Sequence, residues 1–340
     1  MLKQILVAAL TIGVAAPAAA QTPIEVPANA GWKHAQTGVV LRSKLAGQAR
    51  TGISDSSANE LDVMIRYDGD AHNPITLYVF RPAGGGLPIW FDRAETQIRL
   101  RDSLGGAAPA GPTVAFARPK ATAQSSLRRV FLPGKGPYKA TGVAMMPLGE
   151  WLIAVRFSSA DLDAAGLDAR MTEIIAGIGW PDGVAESPAA APVPACSGQL
   201  AYARGAKLNK PDMADALIGA MVGGIAAEKA EKSPEQGRPI TWCREGEGEA
   251  RFGVYRDAAS VDSYMMALGD AGRVVNVNRG FGLDDKQNFM LTLGDLDRTL
   301  VYPSFNKLPR PEAAFQAVTK TAPISSSSRD GKDITIGVGE

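Results

Sequence analysis

The segment Pro181–Ala195 reads PDGVAESPAAAPVPA. It constrains the fold more than any other stretch of the chain. It is rich in Pro and Ala and almost free of large apolar side chains, so it cannot build a core and favours extended, semi-rigid backbone. It divides the 340 residues into two bodies. Residues 21–180 form a first domain, 181–195 a linker and 196–320 a second domain, with 321–340 as a flexible tail or late strand. The two halves, about 160 and about 145 residues, are each long enough to bury a core.

Ahead of the first domain, residues 1–20 read as a signal peptide. Lys3 supplies the positive start, Ile5–Val14 an uncharged apolar stretch, and Ala18 and Ala20 the small residues of an A-x-A cleavage site. Cleavage would leave Gln21 first, with no Cys there to carry a lipid. The stretch is too short for a comfortable membrane anchor. This predicts an exported protein, periplasmic or extracellular, with no transmembrane span in the mature chain. The whole chain carries 36 Lys+Arg against 35 Asp+Glu. Losing the leader removes one Lys and no acid, so the mature chain is electrically balanced. No field of one sign remains to gather nucleic acid. A local basic patch at Arg128 and Arg129 reads as solvated surface charge.

Cys196 and Cys243 are the two cysteines. In an oxidising compartment such a pair predicts one disulfide. It would close a loop of about 48 residues and contribute on the order of 4 kcal/mol in the chain-entropy picture. They lack C-x-x-C spacing and have no nearby His, which argues against a metal site or a reactive thiol.

Strand and helix periods alternate through the first domain. Leu61, Val63, Ile65 and Tyr67 share one strand face, with Asp62, Met64 and Arg66 on the other. Ile75–Arg81 is apolar on both faces and Trp151–Phe157 on one, with weaker strands at Thr113–Arg118 and Arg129–Leu132. A helix is expected over Leu87–Leu104 from Trp90, Ala94 and Ile98. A closing helix carries Leu167, Met171, Ile174, Ile175 and Ile178 and is stopped by Pro181. The second half opens with a short strand near Leu200–Ala203. A long helix from Pro211 to about Glu231 follows, with a stripe through Ala214, Leu217, Ile218, Met221, Val222 and Ile225. Strands are then expected at Pro239–Arg244, Arg251–Arg256, Arg273–Asn278, Asn288–Leu293 and Arg298–Tyr302, the last two joined by a turn at Gly294–Asp297. The helix Pro311–Thr319 closes the domain. The fold class expected is α+β: two domains, each a mostly antiparallel sheet covered by helices.

The strand and closing helix EWLIAVRFSSADLDAAGLDARMTEIIAGIGWP, Glu150–Pro181, resemble the end of PsbP-like proteins. The resemblance covers the first half at most. It implies an antiparallel sheet covered by helices, and no reaction, since that fold hosts unrelated functions. No site residue is carried over from it.

Chemical motifs are sparse. His34 and His72 are the two histidines, too few for the usual three-ligand zinc site without carboxylate help, and no H-E-x-x-H occurs. Asp68–Asn73 imitates the start of a calcium loop, but Asn73 and Val79 stand where Gly and Glu are needed, so a polar turn is expected. No G-x-S-x-G or phosphate loop is present, and Gly84–Gly86, Gly134–Gly136 and Gly246–Gly248 read as loops. The pairs Asp161/Asp163, Asp284/Asp285 and Asp295/Asp297 offer two carboxylates to a glycosidase on paper; capping and turns explain each. The five tryptophans, at 32, 90, 151, 180 and 242, read chiefly as core residues. No catalytic, metal or cofactor-binding residue is assigned, and no cofactor is expected. The chain reads as a non-enzymatic binding or interaction module of the cell envelope, with a protein or small-molecule partner. A secreted hydrolase built from scattered residues is one alternative. A membrane-surface component using the small-residue face Gly219–Gly223 is the other.

Overall fold

The computed structural model describes residues 21–211, 240–280 and 288–337. The expected leader, nearly all of the helix expected from Pro211 to about Glu231 with Gly219 and Gly223, and Asp284/Asp285 lie outside the described residues. Two antiparallel sheets dominate. The first contains β1 (Thr22–Pro23), β6 (Gly52–Asp55), β7 (Asp62–Tyr67), β8 (Ile75–Phe80), β13 (Trp151–Ser159), β12 (Ala140–Leu148), β11 (Ser126–Leu132) and β10 (Val114–Phe116), neighbouring in that order, with β9 (Ala108–Pro109) also on β11. Two short ladders, β2 (Trp32–Lys33) with β3 (Val40–Leu41) and β4 (Lys44–Leu45) with β5 (Gln48–Ala49), sit apart. The second sheet is an eight-stranded meander in chain order. It comprises β14 (Trp242–Glu245), β15 (Phe252–Asp257), β16 (Tyr264–Leu268), β17 (Arg273–Arg279), β18 (Phe289–Gly294), β19 (Arg298–Phe305), β20 (Ser325–Ser328) and β21 (Ile334–Ile336).

This corrects the expected α+β class of two helix-covered sheets. Strands take 36% of the described residues and helices 14%, in three helices: α1 (Leu87–Arg99), α2 (Ala164–Gly177) and α3 (Pro311–Lys320). That is too little helix to cover seventeen strands' worth of sheet. Non-helical chain helps to seal the first sheet instead: Trp32, Val39, Leu41 and Leu45, from the short ladders and their loops, join Val63, Ile65, Leu77 and Ile153 in one cluster. α2 adds Leu167, Met171, Ile174 and Ile175 to the same side.

α1 lies between the sheets. Trp90, Phe91, Ala94 and Ile98 pack with Phe80, Met145, Leu152 and Ala154 of the first sheet and with Tyr255, Met265, Ala267 and Val274 of the second. Strand parity makes this possible. Met265 and Ala267 of β16 face α1, while Tyr264 and Met266 face the opposite cluster with Ala314, Ala317 and Val318 of α3. A helix enclosed on both sides must bury polar residues as well. Asp92 accepts from Tyr255 Oη (2.6 Å) and pairs with Arg244 (2.6 Å). Fully buried Arg93 donates from Nε to Gly269 O (2.7 Å) and from Nη2 to Ala250 O (3.1 Å). These partners replace the water that both charges have lost.

The Pro/Ala segment is extended and held by hydrogen bonds. Glu186 accepts from the amides of Thr122 (2.7 Å) and Ala123 (3.0 Å), and Ala190 N donates to Gln124 O (2.9 Å). It then runs onto the edge of the second sheet, where Cys196 N donates to Arg244 O (2.9 Å) and Arg244 N to Pro194 O (2.8 Å). Cys196 and Cys243 are disulfide-bonded, 4.9 Å apart at Cα, tying the segment's end to β14.

Other expectations shift locally. The helix expected to Leu104 ends at Arg99, and a short 3₁₀ turn covers Asp102–Leu104. Leu200–Ala203 is not a strand; Leu200 N instead donates to Glu245 Oε1 (2.6 Å). The tail from Thr321 supplies paired strands β20 and β21. β12 lies where the sequence pattern predicts no strand, because all nine of its residues are buried and the alternating signal vanishes. Gly142 within it permits α2 to approach, since a Cβ there would lie 2.6 Å from Met171 Sδ and 2.9 Å from Leu167 Cδ2. Gly142→Val is therefore expected to lower unfolding free energy by about 2–3 kcal/mol in urea titration. Gly198→Ala, at a position open to space, is expected to stay within about 0.5 kcal/mol. Equal effects of the two would contradict this packing.

Candidate functional site

On the α1 side of the first sheet, registers align Met64 with Tyr78, Tyr78 with Ala154, and Ala154 with Met145. Asp62, one strand step from Met64 along the same face, stands opposite Phe80. The turn joining β16 to β17 lies over this row. There a partly open cavity of about 140 Å³ lies between the two sheets, lined by these six side chains with Gln21, Ser56, Ala94 of α1, Arg156 of β13 and Asp270 and Ala271 of the turn.

The turn is fixed by its contacts. Gly272 has φ +91°, a conformation that side chains rarely adopt, and a Cβ on it would come within 3.0 Å of Pro82 Cα. Its carbonyl accepts from Ala83 N (2.7 Å), and the carbonyl of Gly269 accepts from Arg93. So α1 and the end of β8 together place Asp270 at the cavity. Asp270 pairs with Arg156, whose guanidinium lies 5.7 Å from the Tyr78 ring centre. Burial pushes the Tyr78 hydroxyl up.

Asp62 is the least neutralised of these groups. It is 6% exposed, and Arg273 Nη1 approaches its Oδ2 only to 3.6 Å because Arg273 Nε is bound to Asp295 (2.8 Å). Burial, against the pull of Arg273 and with repulsion from Asp55 and Asp270, raises the Asp62 carboxyl from 3.8 to about 6.

The candidate residues of the sequence motifs fall elsewhere and do not converge. His34 is fully buried. Its Nδ1 accepts from Thr37 N (3.2 Å) and its Nε2 donates to Glu60 O (2.9 Å), between the edges of Trp32 and Trp151. His72 is exposed, and its Nδ1 is 3.9 Å from Asp161, beyond hydrogen-bond range. Neither imidazole meets a serine or carboxylate as a hydrolase base would. Asp70 Oδ1 accepts from His72 N (2.9 Å), as in a polar turn. Asp163 caps α2 through Gly166 N (2.8 Å), and Asp295 and Asp297 pair with Arg273 and Arg298. Arg128 and Arg129 are paired with Asp168 and Glu95. Among the described residues no group of three or more His, Cys, Asp or Glu is placed to hold a metal ion, and no helix is long and apolar enough to cross a membrane.

The residues that do converge escape a reading of the sequence. Asp62 has the pattern of a solvent-facing member of an alternating strand, and Asp270 that of an ordinary turn residue. The one usable signal is Tyr78 opposite the polar face of β7, in a strand apolar on both sides. Comparisons with family models, with curated proteins and with solved structures found no match, so none of them bears on the resemblance to PsbP-like proteins.

A carboxyl with a raised pKa binds more protons folded than unfolded between about pH 4 and pH 6. Stability is thus expected to fall as pH rises through that window, by up to about 3 kcal/mol from Asp62. Asp62→Asn is expected to flatten this part of the profile and to be the more stable protein at pH 8. Denaturant unfolding at pH 4, 5, 6 and 8 measures both; an unchanged slope in the variant would contradict the assignment.

Proposed function

We propose that this chain is exported to an oxidising compartment and acts there as a non-enzymatic binding module, its inter-sheet cavity taking a small ligand. The leader-like start supports export, and the Cys196–Cys243 bridge is compatible with it. The observation that carries the binding reading is the cavity itself. It is walled by both sheets and by α1, and it combines an apolar floor with a few placed polar groups, the usual composition of a ligand site. No imidazole or thiol lines it. Its acids pair with arginines, Asp62 with Arg273 and Asp270 with Arg156, so binding explains the arrangement more directly than turnover.

Size limits the ligand. An engineered cavity of about 150 Å³ holds benzene, so the present one suits a molecule of about six to eight heavy atoms. A thermal-shift screen of compounds in that range is expected to find ligands that raise the melting temperature. Ala154→Phe, which fills the cavity from β13, is expected to abolish the shift, and disaccharides or dipeptides are expected to give none. Ligands that bind the filled variant equally well would place the site elsewhere. Protein recovered from an envelope fraction is expected to begin at Gln21 and to show no free thiol before reduction.

A further inference from the structure

Resting on the binding reading above, we propose that the inter-sheet cavity is selective for a small organic cation, an amine with a compact apolar body, held through its ammonium group by Asp62. Three observations lead there. Asp62 lines the cavity and is more than nine-tenths buried, and its ion-pair partner, Arg273, comes no nearer than 3.6 Å to its Oδ2. A buried carboxylate in that state lacks the hydrogen bonds that offset its desolvation. The neighbouring cations are already engaged: Arg156 with Asp270, and Arg273 by its Nε with Asp295. The wall also holds Gln21 and Ser56, and its apolar part, Met64, Phe80, Met145 and Ala154 with the ring of Tyr78 beside Arg156, suits a hydrocarbon body and offers the Phe80 ring to a cation.

Arg273, shared with Asp295, gives Asp62 only a long contact at 3.6 Å; an ammonium group in the cavity adds a second positive charge and N–H donors at close range. An anion would meet Asp62 and Asp270 and would have to compete with them for Arg273 and Arg156. A neutral ligand of the same shape would fill the space and leave the carboxylate with only its long contact to Arg273. A hard metal ion would need six or more oxygen ligands, and the thioether and aromatic walls do not provide them. The groups facing Asp62 are Asp55 from β6, Tyr78 from β8, Arg156 from β13, Asp270 from the turn and Arg273 from β17. Of these acids and bases Asp62 has its carboxyl raised to about 6. Amine binding should therefore weaken as pH falls below that value, when the carboxylate that holds the ammonium is lost.

The test uses cyclopentylamine, cyclopentanol and cyclopentanecarboxylate, matched in shape and different in charge. Binding to the purified chain is followed through the methionine methyl signals of Met64 and Met145 in NMR spectra at pH 8. Cyclopentylamine is expected to bind at least tenfold more tightly than cyclopentanol, and the carboxylate more weakly than either. Moving to pH 5 is expected to weaken the amine about tenfold and leave the alcohol unchanged. Asp62→Asn is expected to bring the amine down to the alcohol's affinity. Equal binding of amine and alcohol by the wild-type chain, or tighter binding of the carboxylate, overturns the selectivity while the small-ligand cavity stands. No response of the Met64 and Met145 methyls to any of the three overturns both. The wild-type comparison decides the matter even where a variant fails to fold.

Discussion

The burial of α1 between two sheets is the constraint on which the rest of the structure depends. A helix pressed on opposite sides cannot keep a polar stripe in water. Asp92 and Arg93 therefore take protein partners, Tyr255 and Arg244 for the first and the carbonyls of Gly269 and Ala250 for the second. Removing one side of such a buried pair typically costs about 3–5 kcal/mol, because the other charge is left stranded. Those bonds also fix how the second sheet sits on the first. The Phe80–Trp90 edge contact (6.1 Å between ring centres) and the Met265 and Val274 packing fill what lies between.

The cavity is a consequence of that arrangement. α1 packs beneath β11 and β12 and reaches the cavity with Ala94 alone. Beyond it, toward β7 and β8, no other helix among the described residues lines the space between the sheets. Polar residues from both sides close it: Asp62 and Arg156 from the first sheet, Asp270 and Arg273 from the second. The second sheet's turn is held there by Arg93 and by Ala83 N. Arg93 thus acts as a positioning residue for Asp270 and touches nothing that a ligand would occupy. One set of contacts joins the sheets, shapes the space and leaves one carboxylate under-neutralised.

Much of the strand content is legible in the sequence, and the site is not. Leu61–Tyr67 alternates, and the structure places a strand there with Val63, Ile65 and Tyr67 sealed in the core of the first sheet. β12 and β16 hide because both of their faces are buried, which erases the period-2 signal. The sequence overstates helix relative to sheet because α2 and α3 are strongly periodic, whereas the loops that also seal the first sheet, through Val39 and Leu41, carry no periodic pattern. The disulfide is readable from two cysteines alone. The candidate site depends on two segments some two hundred residues apart meeting at one turn, and no local pattern around Asp62 or Asp270 announces that meeting. Polar residues in a strand or at the middle of a helix normally face water; here Asp62, Asp92 and Arg93 face the joint between sheets.

The state of the Asp62 carboxyl tests this account most directly. Its titration can be followed through the side-chain carboxyl carbon by NMR, in the free chain and with saturating cyclopentylamine. A midpoint near 6 in the free chain, moving down when the amine is bound, is the expected result. A midpoint near the ordinary aspartate value of about 4, unmoved by the amine, would mean that the carboxylate is already satisfied and that the joint between the sheets holds no cation site.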